Sequence, residues 1–276
     1  MDLFFYDTLG ARRLDSYQQI LRPSGDAPLY GLSGPGARLV VALSGTAGSL
    51  PAWPETGTYG NLCKLRYSLE KENPQAPQLA GECLVDDGLS RLAEIPLQTR
   101  LSAIRIHSIS CDFSGRPYAG TAFSHNKLYL TYAGAECQPL DAGEGYPLSW
   151  INPGCLDSAA VLRLPHPEMV LQEGIGPIGE ERRYPERTLY CYANPALEER
   201  LGQPVTHLVL EGTVGGHRCY YPIPLPGLEP GRCYVLDITL RRMGSPAPDL
   251  PTRSGSYVLT SQVLPWEERE PSTVIF

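Results

Sequence analysis

The sequence predicts an all-β protein arranged as two domains, with only a few short helices. Three observations lead there. Short segments rich in β-branched and aromatic residues recur along the chain, each bounded by Gly, Pro, Asn or Asp, which is the spacing of a sandwich or barrel. The 276 residues include 28 Gly and 27 Pro, so a breaker interrupts every longer helical pattern. The length suits two domains of about 100–200 residues each.

The strand-like segments are 2–7 (DLFFYD), 37–44 (ARLVVALS), 102–113 (SAIRIHSISCDF), 127–132 (KLYLTY), 188–194 (TLYCYAN), 206–214 (THLVLEGTV), 218–225 (RCYYPIPL), 233–242 (CYVLDITLRR) and 256–266 (SYVLTSQVLPW). Side chains alternate across a strand, so Tyr234, Leu236, Ile238 and Leu240 share a core face and Val235, Asp237 and Thr239 point the other way. In 102–113 the inward set begins with Ile104 and Ile106, with Arg105 and His107 outward. The apolar phase then slips at Ile109, which predicts a bulge near Ser108. Helical periodicity is confined to 59–72, where Leu62, Leu65 and Leu69 fall on one face, and to 195–202 (PALEERLG). Between 132 and 188 the composition is that of loops (DAGEGYP, INPG, GIGPIGEE), which places a boundary near residue 142. The expected domains are therefore 1–142 and 143–276.

Composition removes several functions. A net charge of −7 with no basic run lacks the electrostatic footprint of a nucleic-acid-binding protein. No apolar run approaches the roughly 20 residues of a spanning helix, and the opening MDLFFYDTLGARR lacks the form of a signal peptide. The eight cysteines, at 63, 83, 111, 137, 155, 191, 219 and 233, contain no C-x2-C pair, so zinc-ribbon and thioredoxin-like readings are weak. Their even number suits disulfides in an oxidising compartment, and they would equally pack as buried free thiols. Cys219 and Cys233 flank PIPLPGLEPG and are candidates to face each other across a hairpin.

A catalytic centre needs a nucleophile, a base and stabilising groups that converge. ALSGTAG (42–48) and GLSGPG (31–36) lack both the nucleophile elbow and the phosphate-loop pattern and read as turns. The histidines at 107, 125, 166, 207 and 217 are scattered, and His107 and His207 alternate out of phase with the apolar residues, toward solvent. The adjacent acids Asp86/Asp87, Glu180/Glu181, Glu198/Glu199 and Glu267/Glu268 do not face one another on a strand or a helix. Cys111 and Cys191 lack a setting that would lower a thiol pKa. The expectation is a protein that is not an enzyme, with no cofactor and no metal.

The C-terminal half carries a family resemblance. TLYCYANPAL, VTHLVLEGTVGGHRCYYPIPL, LEPGRCYVLDITLRRMGSPAPDLPT and SYVLTSQVLPWEE, in that order and spacing, resemble the fimbrillins, the type V pilus subunits of Bacteroidales. DLFFYDTLGARR, ARLVVALSG and TRLSAIRIHSIS resemble the corresponding N-terminal strands more loosely. The resemblance implies two tandem transthyretin-like, Greek-key β-sandwich domains and a cell-surface, outer-membrane location in a fimbria. It also implies export as a lipoprotein precursor with a lipid anchor as the membrane contact. A processing protease would remove an N-terminal strand, and subunits would assemble by donor-strand exchange with other pilus subunits. On that resemblance, the start of the sequence is expected to match the start of a processed subunit.

On that resemblance, the donor and assembly residues are Val263, Trp266, Val274, Ile275 and Phe276, and the strands lining the acceptor groove carry Leu3, Phe5, Val40, Ile104 and Ile106. Backbone groups would pair along an open edge while alternate side chains fill the groove. Three or four buried side chains would contribute about 5–10 kcal/mol before ordering costs. Segment 256–266 reads more readily as an ordinary core strand of its own domain than as a donor, and for the tail 271–276 the two readings are level. Pro265, Glu267, Glu268 and Glu270 suit a buried donor poorly, which argues against a shaft position and leaves tip, anchor and accessory positions open. A reading of another class is a surface β-sandwich that binds glycan or host protein without polymerising, with Trp53, Tyr59 and Trp150 as a stacking platform.

Overall fold

A computed structural model describes residues 1–20, 36–44, 56–85, 94–140, 145–266 and, for the backbone, 273–275. The chain is all-β and divides into two compact units, one of residues 1–100, 137–145 and 267–276, the other of 101–136 and 146–266. The first crossing thus falls at 100/101, not at 142. Loop composition marks where regular structure lapses, whereas the units are set by which strands pair, and the strand that opens at Leu101 pairs with partners far along the chain.

In the first unit the strands are β1 (Asp2–Asp7), β2 (Leu14–Gln19), β3 (Arg38–Ser44), β4 (Tyr67–Ser68), β5 (Leu79–Val85), β6 (Glu94–Pro96) and β7 (Gln98–Thr99). Five of them form an antiparallel sheet in the order β2-β1-β3-β5-β7. β1 is apolar on both faces because both are covered: Leu3, Phe4, Phe5 and Tyr6 are all buried. Tyr6 meets the ring of Tyr59 edge-on at 5.9 Å, and its hydroxyl donates to the Thr56 carbonyl at 2.9 Å.

The helix expected over 59–72 is a single turn, α1 (Tyr59–Leu62), capped by the Thr58 hydroxyl accepting from the Asn61 N–H. It stops because Tyr67 is buried and its hydroxyl donates to the Leu79 carbonyl at 3.1 Å, which holds 67–68 extended. A 3-10 turn at Leu69–Lys71 follows. Segment 195–202 is not helical either. The Asn194 side chain accepts from the Ala196 N–H at 3.2 Å, and Arg200 and Gln203 exchange backbone bonds, so local turns take the groups a helix would use.

The second unit contains β8 (Leu101–Cys111), β9 (Phe123–Thr131), β10 (Ala133–Cys137), β11 (Ser149–Ile151), β12 (Leu171–Glu173), β13 (Arg187–Tyr192), β14 (Thr206–Val214), β15 (His217–Leu225), β16 (Arg232–Leu240) and β17 (Tyr257–Pro265). One sheet runs β11-β10-β13-β8-β16-β17 and another β12-β9-β14-β15. β8 and β16 pair in parallel. Their register steps from Ile106↔Leu236 to Ser108↔Asp237 and skips His107, which is the expected bulge. The slip keeps Ile104, Ile106 and Ile109 all buried while Arg105 and His107 stay exposed, and Ser108 donates to the Asp237 carboxylate.

Cys219 and Cys233 do not face each other across a hairpin. β15 pairs with β14 in the four-stranded sheet, and β16 lies in the other, so residues 226–231 carry the chain from one sheet to the next. No disulfide joins any of the eight cysteines.

Asn194, the residue that ends the aromatic strand TLYCYAN, ties this crossing down. It is buried, its side-chain amide donates to the Pro204 carbonyl at 2.9 Å and to the Thr206 hydroxyl at 3.1 Å, and its backbone exchanges bonds with Leu228. Asn194→Ala leaves buried partners unsatisfied and is expected to destabilise the chain by about 2–3 kcal/mol, measured by urea denaturation.

Candidate assembly site

The last strand, β18 (Thr273–Ile275), belongs to the first unit and lies antiparallel to β6, with Thr273↔Pro96, Val274↔Ile95 and Ile275↔Glu94 as partners. The two strands make a ribbon of their own, outside the five-stranded sheet. Ile95 is fully buried in a cluster with Leu3, Phe5, Val40, Ala42 and Leu97. β6 is thus a lid on the β1–β3 face. The approach is close at Gly81 of β5, where a Cβ would fall 2.3 Å from the Pro96 carbonyl oxygen. Only glycine lets the two backbones meet at that distance.

Three of the expected groove residues, Leu3, Phe5 and Val40, meet in this one cluster. Ile104 and Ile106 lie on β8 in the core of the second unit. Of the expected donor residues, Val274 and Ile275 form β18, and Phe276 lies outside the described residues.

Trp266 and Val263 belong to the second unit. The Trp266 indole stacks on Tyr190 at 5.3 Å, and its backbone N–H donates to the Gly231 carbonyl at 3.0 Å. β17 pairs with β16 along its whole length, from Tyr257↔Leu240 to Pro265↔Arg232. It ends its sheet, and Val258 and Val263 are 40% and 51% exposed.

The three aromatics proposed as a platform are placed separately. Tyr59 packs on Tyr6, donates to Glu82 at 2.7 Å and lies under the Arg12 guanidinium, all within the first unit. Trp150 sits on β11 of the second, and Trp53 lies outside the described residues.

Cys111 and Cys191 are buried packing groups. Burial pushes the Cys111 thiol up to about 11 and Cys191 to about 12, so both are thiols at neutral pH and poor nucleophiles. His107 is exposed and touches Tyr184 edge-on. His207 departs from the expectation of a solvent-facing residue. It is half-buried, desolvation lowers its pKa, and its Nε2 lies 3.4 Å from a Glu199 carboxylate oxygen.

Sequence reasoning missed β6. Glu-Ile-Pro is too short to show alternation by itself, although Ile95 and Leu97 repeat with period two through the proline.

The fold defines a class of protein. A proposed cell adhesion protein of Parabacteroides distasonis ATCC 8503 aligns with 98% of this chain and 88% of its own, at a TM-score of 0.68 and 13% identity. Another of that description, from Bacteroides eggerthii DSM 20697, aligns with 96% of this chain and 88% of its own (TM-score 0.63, 16% identity). A fimbrilin of Porphyromonas gingivalis W83 aligns with 96% of this chain and 90% of its own (TM-score 0.61, 12% identity). The chain therefore has the fold of Bacteroidales fimbrillins and related adhesion proteins over nearly its full length. No protein-family model and no curated protein sequence matches it.

Proposed function

We propose that this chain is a structural and adhesive subunit of a cell-surface fimbria, and that its C-terminal strand joins it to the next subunit by strand exchange. The observation that carries the reading is the β6–β18 ribbon. The tail is a separate strand with three residue pairs to its neighbour, set beside the lid of an apolar cluster. A typical backbone hydrogen bond has a net worth of about 0.5–1.5 kcal/mol, so so short a strand is held weakly enough to leave. The same strand from a second copy would restore the same pairs, which makes exchange close to neutral per contact and lets the product extend head to tail. The likeness in fold to a fimbrilin and to proposed adhesion proteins supports the setting. Export as a lipoprotein, removal of a preceding strand by a protease and location in an outer-membrane fimbria complete the proposal.

The test is removal of residues 271–276. The truncated chain is expected to stay folded and monomeric under conditions in which the full chain forms ladders on native gels, and a synthetic 271–276 peptide is expected to raise its Tm. Ladders undiminished by the truncation would remove the tail from the mechanism.

A further inference from the structure

A cavity of about 500 Å³ lies wholly within the second unit, against β9, β14 and β15 of the four-stranded sheet and Tyr257 of β17. Its floor is a cross-strand row, with Thr131 of β9 opposite His207 of β14 and His207 opposite Pro224 of β15. Pro222, Pro248 and Pro251 add apolar surface, and Tyr132 and Tyr257 supply aromatic rings. Two acidic residues from different segments, Glu199 and Asp249, are in the lining, and among the described residues no Lys or Arg is.

The groups that could alter this charge are already engaged. One ring nitrogen of His207 is 3.4 Å from Glu199, and the ring also bonds the Val205 backbone, while desolvation favours its neutral form. The other Glu199 oxygen accepts the Val205 N–H at 3.2 Å, which holds the carboxylate in place. Tyr132 is held by its neighbours: its ring lies 6.5 Å from that of His207, and its hydroxyl is close to Gly154, where a Cβ would stand 3.4 Å away.

The lining discriminates among ligand classes. An anion would meet two carboxylates and no cation. A neutral saccharide would find hydroxyl donors in Thr131, Thr252, Tyr132 and Tyr257 beside the carboxylate acceptors, but it would leave two carboxylate charges without the counter-charge that a cation supplies. A cation on an apolar stem meets every requirement: carboxylates for the charge, rings for its face, and prolines for the methylenes. A planar guanidinium satisfies them better than an ammonium, because it stacks and bonds at once.

The geometry points to a docking pocket for a single arginine side chain presented by a partner protein, formed by Glu199, Asp249, Tyr132, Tyr257 and the proline walls around His207. The site is separate from the C-terminal strand and stands whether or not that strand drives assembly. It gives the chain an adhesive contact of stated chemistry.

N-acetyl-arginine amide, titrated into the full chain and followed by amide shifts in its NMR spectrum, tests this directly. Saturable shifts are expected at Thr131, His207 and Thr252, with N-acetyl-citrulline amide, which is neutral and of like shape, at least tenfold weaker. Glu199→Gln and Asp249→Asn, each nearly isosteric, are each expected to weaken arginine binding at least threefold, and the pair at least tenfold, with the remaining spectrum unchanged. Equal binding of arginine and citrulline would overturn the proposal. So would no saturation by arginine, saturation by neutral N-acetyllactosamine in its place, or full retention of binding in the double variant.

Discussion

Phe5→Ala is expected to lower the free energy of unfolding by about 3–5 kcal/mol, the largest single effect for any residue of the first unit's cluster. Phe5 is fully buried on β1, the strand paired on both sides by β2 and β3, so its neighbours are held by two ladders and cannot collapse into the vacated space. It shares its cluster with Leu3, Val40, Ala42 and Ile95, and the loss of an aromatic ring removes packing from β6 as well as from the sheet. The measurement is urea denaturation at constant m-value. Leu84→Ala is the control, because Leu84 is 66% exposed and its loss should change stability by no more than about 0.5 kcal/mol. A Phe5→Ala variant as stable as the Leu84→Ala control would show that β6 and the sheet do not enclose a packed core.

Gly81→Ala is the second. A methyl at Gly81 would stand 2.3 Å from the Pro96 carbonyl oxygen and 3.0 Å from its carbon, and both belong to backbone. No rotamer change relieves such a contact, so β6 must move away from β5. Overpacking of this kind costs about 1–3 kcal/mol, and the direct loss should exceed the small gain alanine brings by restricting the unfolded chain. The more telling readout is local. Since β18 pairs, among the described residues, only with β6, displacing β6 should expose the tail, and limited proteolysis should clip the C-terminus of the variant several-fold faster than that of the parent. Unchanged stability together with unchanged proteolysis would mean that β6 does not lie against β5 as described.

These two positions differ in how readily they are read from sequence. Phe5 stands in DLFFYD, a continuous apolar run between turn residues, and such a run already implies a strand covered on both faces. Gly81, in QLAGECLV, carries no such mark, because its role is to make room for a segment that becomes its neighbour only after folding. The same contrast holds along the chain. β14, β15 and β16 run close to the expected 206–214, 218–225 and 233–242, and the bulge beside Ser108 follows from the slip in apolar phase alone. Alternation is a local property, imposed residue by residue by the two faces of a strand.

Where periodicity misled, a distant partner was responsible. Leu62, Leu65 and Leu69 repeat at helical spacing, yet Tyr67 is drawn into an extended conformation by the Leu79 carbonyl of β5. His207 alternates as an outward residue should, yet it is half-buried, with Glu199 and the Val205 backbone against its ring. Of the residues assigned to a groove from the sequence, Leu3, Phe5 and Val40 share one buried cluster of the first unit, while Ile104 and Ile106 are in the second.

From its residues alone this protein is all-β, acidic, built of short turn-bounded strands, and similar in the spacing of its C-terminal strands to the fimbrillins. Tertiary structure alone decided which strands share a sheet, that Leu101 opens the second unit, and that β18 pairs with β6 across more than 170 residues of chain. The physical reason is that a strand's own pattern states which side chains face inward, while its hydrogen-bonding edges are identical from one strand to the next. The choice of neighbour is therefore made by packing among residues far apart in the chain.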